Sequence, residues 1–248
     1  MSRAAPEVVV VADEAALARA VADRFTDAAR EAIAARGTFV VALAGGSTPK
    51  AAYALLAGEA GAFDWNAVRF FFGDERCVPP GDDSSNFKMA SETMLVPLGI
   101  PAVNIFRMRG EDDPQAGAAA YRSVLRTQLG DAPVFDYVML GLGPDGHTAS
   151  LVPGTDPRDG DELLVKSTAA PYNGTYRLTL TPRAINAARR VEIATAGEAK
   201  AQALAAALEG AYDPVRLPVQ IVAPLAGGPT WLVDRAAAEN LRGTARLH

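Results

Sequence analysis

Cysteine, histidine and lysine are scarce in this 248-residue sequence, and it contains no long apolar run. The single cysteine, Cys77, has no partner for an internal disulfide, so we expect the chain in a reducing compartment. The four valines at residues 8–11 are too few for the apolar core of a signal peptide, and no later segment is long enough to span a bilayer. We therefore expect a soluble, cytoplasmic protein.

Positive charge is also in short supply. The formal net charge is −5, and only four residues are lysine. Nucleic acids and anionic membranes favour basic surfaces, so neither is an expected partner. A small anion is not excluded, because it responds to the local field of its own pocket. One cysteine and one internal histidine give no ligand set for a metal ion, and we expect neither a metal nor a cofactor.

Apolar segments alternate with amphipathic ones along the chain. Strands are predicted at 7–12, 38–44, 68–73, 103–108, 135–143, 163–168, 175–181, 189–197, 219–224 and 230–234. Between the first two, Leu17, Val21 and Phe25 recur every four residues from a cap at Asp13 to a stop at Gly37, which predicts a helix. The alternation predicts one domain, residues 1–248, with a doubly wound, mostly parallel open α/β sheet of the Rossmann-like class. Ligands bind such sheets at the carboxyl ends of the strands.

The first polar cluster, LAGGSTPK at residues 43–50, follows a predicted strand and begins a predicted helix. Gly45 and Gly46 would let the backbone approach a ligand closely, and the free N–H groups at the helix start attract an anion. Ser47 or Thr48 is the predicted helix cap, with Pro49 in the first turn. A plain tight turn would use the same residue types, and the spacing is not that of a Walker A loop.

The second cluster lies in residues 70–87, FFFGDERCVPPGDDSSNF. Asp74, Glu75 and Arg76 stand together at the end of a very apolar strand, where each charged group must find a partner or a solute. This indicates a binding surface, and a solvated loop with a local ion pair is the alternative. Only His248, at the chain end, is available as a second histidine that could activate Cys77, so we expect this thiol to be a bystander and not a nucleophile.

The third cluster, residues 138–154, carries the most information. His147 lies in a glycine-rich turn two residues after Asp145, and a carboxylate beside an imidazole can set its tautomer and stabilise the imidazolium. A loop histidine without a catalytic role is the alternative. A G-x-G-x-x-G spacing also begins at Gly141, as in dinucleotide-binding folds. Pro153 and Pro157 would cut short the helix that such a site needs, so we reject a nicotinamide dehydrogenase.

The fourth cluster is cationic. Lys200 follows a predicted strand and begins a helix, where the helix dipole disfavours a cation. Position alone would make it a solvated surface lysine. Arg177 lies in an alternating strand and could point either to water or to the site.

Together, and in this order, the four clusters resemble the 6-phosphogluconolactonase family. The matching segments are AGGSTP at 44–49, GDERCVP with SN within 73–86, GLGPDGHTASLVPG at 141–154, RLTLTP at 177–182 and GEAK at 197–200. The resemblance covers nearly the whole chain, and it implies an open Rossmann-like sheet.

The resemblance also implies an activity, which is hydrolysis of the lactone of 6-phosphogluconic acid in the oxidative pentose phosphate pathway. It implies that His147 takes a proton from the attacking water while Asp145 orients the imidazole. Backbone N–H groups and Arg76 are both candidates to stabilise the oxyanion, and the choice stays open. The expected partner is the sugar-phosphate lactone, bound by a monomer or small homo-oligomer. The implied substrate-binding residues are Gly45, Gly46, Ser47, Thr48, Asp74, Arg76, Asn86, Arg177 and Lys200.

Two other functions are weighed against this one. Glucosamine-6-phosphate deaminases share the framework, but their third motif continues into Asn-Glu-Pro-Gly, and Val152 stands here in place of that acid. Isomerisation of an amino sugar needs more proton-transfer groups than lactone hydrolysis, which favours the lactonase. A sugar-phosphate sensor domain of a repressor would be expected to follow a helix-turn-helix and to lose the acid/base pair. This chain begins with a strand and keeps both Asp145 and His147.

Overall fold

The computed structural model describes residues 6–225, 227–243 and 246–247, the last two by their backbone alone. The strands are β1 (Glu7–Val11), β2 (Phe39–Leu43), β3 (Val68–Phe72), β4 (Asp74–Arg76), β5 (Tyr137–Gly141), β6 (Val165–Ser167), β7 (Arg177–Leu180), β8 (Val191–Thr195), β9 (Thr230–Asp234) and β10 (Arg246–Leu247). The α-helices are α1 (Glu14–Arg36), α2 (Ser47–Ala57), α3 (Asn86–Ala90), α4 (Pro114–Leu129), α5 (Pro182–Asn186) and α6 (Ala201–Glu209).

A parallel sheet forms the centre of the molecule, in the order β10-β1-β9-β8-β5-β2-β3. Every residue of β2, β8 and β9 is buried, as expected for strands that are covered on both faces. The predicted doubly wound, mostly parallel α/β fold is confirmed. Among the described residues, none of the helices combines the length and the apolar character needed to cross a membrane.

Helix α1 forms as its sequence predicts. The Asp13 carboxylate accepts a hydrogen bond from the Ala16 N–H at 2.8 Å, which satisfies a first-turn donor that has no helical partner. Gly37 ends the helix with a φ of 74°, a left-handed conformation that glycine adopts without strain. Phe25, in the middle of the apolar stripe, is fully buried.

A second, smaller sheet is antiparallel, in the order β4-β7-β6, and α4 packs against it. The chain passes from one sheet to the other at Gly73. Its N–H donates to the Leu43 carbonyl at 2.8 Å, in the central sheet, and its carbonyl accepts from the Leu180 N–H at 2.8 Å, in the small sheet. The strands predicted at 163–168 and 175–181 therefore exist, but as a separate sheet that the sequence did not indicate.

Two predicted strands are wrong. In 103–108, Ala102–Asn104 form a single 3₁₀ turn, and an isolated bridge joins Ile105 to Phe70 at the edge of the sheet. Val103 is 79% exposed, whereas Met108 at the other end of the segment is buried, so only part of the apolar pattern reflects burial. In 219–224, Pro218–Ile221 form another 3₁₀ turn. Pro218, Val219 and Gln220 are all buried, so burial here does not follow the two-residue period of a strand with one exposed face.

Candidate active site

Four neighbouring strands of the central sheet, β8, β5, β2 and β3, end at one cleft of about 200 Å³. Loops that follow adjacent parallel strands meet at the same edge of the sheet, which brings distant polar clusters together. Strands β4 and β7 of the small sheet contribute further side chains. All the predicted substrate-binding residues line this cleft together with the predicted base: Gly45, Gly46, Ser47, Thr48, Asp74, Arg76, Asn86, His147, Arg177 and Lys200.

The start of α2 forms one wall of the cleft. Its cap is Gly46, with a φ of 111° and no side-chain acceptor, so the prediction of Ser47 or Thr48 as the cap is wrong. Glycine adopts this backbone conformation without strain, which explains why Gly46 and not Ser47 or Thr48 is the cap. The first helical bond runs from the Lys50 N–H to the Gly46 carbonyl at 3.1 Å. The N–H groups of Ser47 and Thr48, in the first turn of α2, have no acceptor within the helix. They lie beside the cleft, at the positive end of the helix dipole.

Asp74 is buried at the floor of the cleft, and both of its carboxylate oxygens have protein partners. Oδ1 accepts from the Asn86 amide at 3.0 Å, and Oδ2 accepts from the Ser150 hydroxyl at 2.7 Å. The Asn86 amide also donates to the Asp74 carbonyl at 2.9 Å. A virtual Cβ on Gly45 would lie 1.9 Å from Asn86 Oδ1, so Asn86 needs the bare backbone of the glycine beside it.

Glu75 is even more buried than Asp74, and it anchors the loop between β4 and α3. Its Oε1 accepts from the N–H groups of Arg76 and Asn86, at 2.7 and 2.8 Å. Its Oε2 accepts from the Phe87 N–H at 2.8 Å and the Ser85 hydroxyl at 3.0 Å. Burial raises the pKa of Glu75, and these donors oppose that effect. The carboxylate therefore determines where Arg76 and Asn86 lie.

Three cations line the cleft, Arg76 and Arg177 from the small sheet and Lys200 from the segment that follows β8. Arg76 and Arg177 are direct neighbours in the β4–β7 ladder, and the Nε atom of each is buried without a partner. Burial lowers the pKa of Arg177, and the adjacent Arg76 lowers it further. Burial also lowers the pKa of Lys200, against an opposing effect of Asp145. None of the three forms a salt bridge within the described part of the chain.

His147 and Asp145 form a hydrogen-bonded pair at the end of β5. His147 Nδ1 lies 2.6 Å from Asp145 Oδ1, and the same oxygen accepts from the His147 backbone N–H at 3.2 Å. Partial burial would raise the pKa of Asp145, but the hydrogen bonds from Tyr172 and His147 outweigh it and lower the pKa. Because Nδ1 donates to the carboxylate, Nε2 is the ring nitrogen left for the cleft. Asp145 itself lies behind His147, outside the cleft lining.

A glycine makes room for this pair. A Cβ on Gly143 would lie 1.9 Å from His147 Nδ1 and 2.7 Å from Asp145 Oδ1. Its N–H donates to the His147 carbonyl at 2.8 Å and closes the turn. The glycine spacing that resembles a dinucleotide fingerprint therefore serves here to seat an imidazole against a carboxylate.

Tyr172 and Ser150 are functional candidates that sequence reasoning missed. The Tyr172 hydroxyl donates to Asp145 Oδ2 at 2.6 Å, although the two residues are 27 positions apart. An Asn-Gly turn signal follows Tyr172 and could have placed it at a hairpin tip, but not against Asp145.

Cys77 does not line the cleft. Burial raises the pKa of its thiol to about 11, which agrees with the expectation that it is a bystander. His248, the other histidine considered for its activation, lies outside the described residues.

Comparison with known proteins shows the relatives of the chain. A family model described as glucosamine-6-phosphate isomerases/6-phosphogluconolactonase matches residues 12–231. A 6-phosphogluconolactonase of Synechocystis is 38% identical over 244 residues, covering 96% of this chain and 99% of that protein. One of Mycobacterium tuberculosis is 36% identical, covering 94% and 98%. Among solved structures, the 6-phosphogluconolactonase from Trypanosoma cruzi superimposes with a TM-score of 0.84 at 29% identity, covering 97% and 98%.

The contact between Gly45 and Asn86 generates a prediction. Gly45→Ala should displace the Asn86 amide and break its bonds to Asp74, lowering the free energy of unfolding by about 1–3 kcal/mol. Gly81→Ala is the matched control, because a Cβ there meets nothing within 4 Å, and its effect should stay below about 0.5 kcal/mol. Urea unfolding measures both.

A double-mutant cycle identifies the contact. Asn86→Ala removes the atoms that the new methyl group would meet, so Gly45→Ala should have little further effect in that background. If the two effects simply add, the clash with Asn86 is not the cause of the destabilisation.

Proposed function

Because this chain belongs to the family of glucosamine-6-phosphate isomerases and 6-phosphogluconolactonases, we propose that it hydrolyses 6-phosphoglucono-1,5-lactone to 6-phosphogluconate. One observation carries the proposal beyond the family: a single cleft is lined by His147, which is hydrogen-bonded to Asp145, and by the start of α2 and three cations. The imidazole–carboxylate pair suits activation of water, and the helix start with the cations suits a phosphate. The step belongs to the oxidative pentose phosphate pathway, and we place it in the cytoplasm.

In the proposed reaction His147 is the general base. Nε2 takes a proton from a water molecule as its oxygen attacks the lactone carbonyl, and Asp145 stabilises the imidazolium that forms. The tetrahedral intermediate collapses with cleavage of the bond to the ring oxygen, which takes a proton from the imidazolium or from water, and His147 returns to its neutral form. Backbone N–H groups or Arg76 stabilise the oxyanion.

The phosphate of the substrate would bind in the cleft near the start of α2 and the three cations. The free N–H groups at Ser47 and Thr48 supply donors and the helix dipole. Lys200, Arg177 and Arg76 supply charge, and an arriving dianion would relieve the repulsion between the two arginines. This assignment gives a use to three cations that have no salt bridge within the described residues.

Asp74 and Asn86 are proposed to act at the cleft floor. Their mutual hydrogen bonds and the Ser150 contact hold the carboxylate in one place, so its free lone pairs are pre-oriented for a substrate hydroxyl. A monomer or small homo-oligomer suffices for this mechanism, because every named group comes from one chain.

The first prediction concerns the substrate. The protein should form 6-phosphogluconate from freshly generated lactone faster than the spontaneous rate and release no ammonia from glucosamine 6-phosphate. The reason is that Val152 cannot transfer a proton where a deaminase has an acid. Coupled assays on both substrates measure this, and ammonia release at a comparable rate would contradict the proposal.

The second prediction concerns metals. No three His, Cys, Asp or Glu side chains among the described residues are grouped so that they could hold a metal ion. Activity should therefore persist after exhaustive treatment with EDTA, measured against a blank for spontaneous hydrolysis in the same buffer. Loss of activity that zinc or magnesium restores would show that a metal takes part.

The third prediction separates chemistry from binding. His147→Ala should lower kcat by about 10²–10⁴-fold and leave KM nearly unchanged, because the base acts in the transition state. Lys200→Ala removes a charge-assisted contact worth about 1.5–3 kcal/mol and should mainly raise KM. It should also reduce the preference for the phosphorylated lactone over gluconolactone.

Lys50→Ala is the matched control for the lysine variant, because Lys50 is exposed on α2 and does not line the cleft. Circular dichroism confirms folding before the rates are compared. Full kcat in His147→Ala would exclude the general-base role. An unchanged KM in Lys200→Ala would leave Arg177 as the main phosphate ligand.

A further inference from the structure

A tyrosine from the small sheet touches both members of the proposed catalytic pair. The Tyr172 hydroxyl donates to Asp145 Oδ2 at 2.6 Å and lies 3.1 Å from His147 Nδ1. The rings of Tyr172 and His147 meet edge to face, with their centroids 5.4 Å apart. Asp145 is therefore held at both carboxylate oxygens, by the imidazole at Oδ1 and by the phenol at Oδ2.

The placement of the protons follows from this geometry. His147 Nδ1 donates to Asp145 Oδ1, so it cannot also accept the phenol proton, which goes to Oδ2 instead. With both oxygens engaged, the carboxylate plane cannot rotate about the Cβ–Cγ bond without losing a hydrogen bond. The carboxylate thereby keeps the proton on Nδ1 and Nε2 open to the cleft.

Tyr172 is itself held firmly at the tip of the hairpin that connects β6 to β7. Its N–H donates to the Thr175 carbonyl at 2.8 Å, across a two-residue turn. Asn173 and Gly174, the central residues, have φ of 51° and 87°, as a type I′ turn requires. The Arg177 guanidinium donates to the Tyr172 carbonyl at 3.3 Å and lies 5.6 Å from the ring centroid.

We propose that Tyr172 is a positioning residue that orients Asp145, and through Asp145 the tautomer and ring of His147. The expected effect on kcat rests on the proposed function, whereas the expected effect on the tautomer of His147 does not. It gives the small sheet a second role, because the same β7 segment that supplies Arg177 to the cleft also fixes the tyrosine behind the base.

The test compares Tyr172→Phe with Tyr176→Phe. Both variants lose one hydroxyl from the same hairpin and keep the ring, and Tyr176 is 40% exposed and does not line the cleft. Tyr172→Phe should lower kcat about tenfold, as expected for a lost hydrogen bond to a charged group, with KM changed less than about twofold. Tyr176→Phe should match the wild type in both constants. Thermal unfolding of the three proteins verifies that each is folded.

A spectroscopic measurement tests the orientation without any substrate. The sequence has two histidines, so ¹⁵N–¹H correlation spectra of the imidazoles contain two spin systems, and His147→Ala assigns them. At mildly alkaline pH the wild type and Tyr176→Phe should show His147 protonated on Nδ1. Tyr172→Phe should show a mixture with the Nε2-protonated tautomer, because Asp145 is free to turn.

Each outcome decides the proposal. An unchanged tautomer in Tyr172→Phe would overturn it, whatever happens to kcat. A raised KM with an unchanged kcat would also overturn it, because the hydroxyl would then contact the substrate and not the base. If the wild type does not hydrolyse the lactone but the tautomer shifts as expected, the proposed function fails and the positioning role stands.

Discussion

The four hydrogen bonds to the Glu75 carboxylate are the interaction on which the cleft depends. Three of their donors are backbone N–H groups at the start and end of the loop between β4 and α3, and the fourth is the Ser85 hydroxyl, which also caps α3 by accepting from the Lys88 N–H. A buried N–H without an acceptor destabilises a fold by about 1–3 kcal/mol. By accepting hydrogen bonds from these donors, the Glu75 carboxylate allows the two ends of the loop to be buried. Asp74 and Arg76 flank Glu75 in sequence, and their positions follow from its contacts. A residue that lies outside the cleft lining thus sets the geometry of two that line it.

The charge distribution separates the cleft from the rest of the molecule. The chain carries a net charge of −5, yet two arginines and a lysine line one cleft. Several arginines elsewhere pair with carboxylates, as Arg107 does with Glu111 at 2.7 Å. Arg76 and Arg177 instead lie side by side without a salt bridge in the described residues, and a bound anion would relieve the repulsion between them. The local arrangement of charge in the cleft therefore suits an anionic ligand, which the total charge does not reveal.

The sequence predicted the parallel sheet and the convergence of its polar clusters, because strand periodicity and the edge rule for parallel sheets act over short segments. It also predicted the pairing of His147 with Asp145, since the two are only two residues apart. It did not predict Tyr172, because that contact depends on how a hairpin in one sheet lies against a loop of another. The two incorrect strands failed for a related reason. Val103 and Val219 have similar local sequences, but tertiary packing exposes one and buries the other in a turn.

The passage of the chain from the central sheet to the small one at Gly73 has a consequence for motion. Arg76, Arg177 and Tyr172 all belong to the small sheet and its hairpin, whereas His147 and Lys200 follow strands of the central sheet. The small sheet has three short strands and fewer ladder bonds, so it is the unit expected to open first in sub-global unfolding. Amide hydrogens of β4, β6 and β7 would then exchange with solvent deuterium together, ahead of those of β5 and β8. A ligand that spans the two sheets would slow the exchange of the whole smaller unit, and substrate occupancy could be followed from amides far from the cleft.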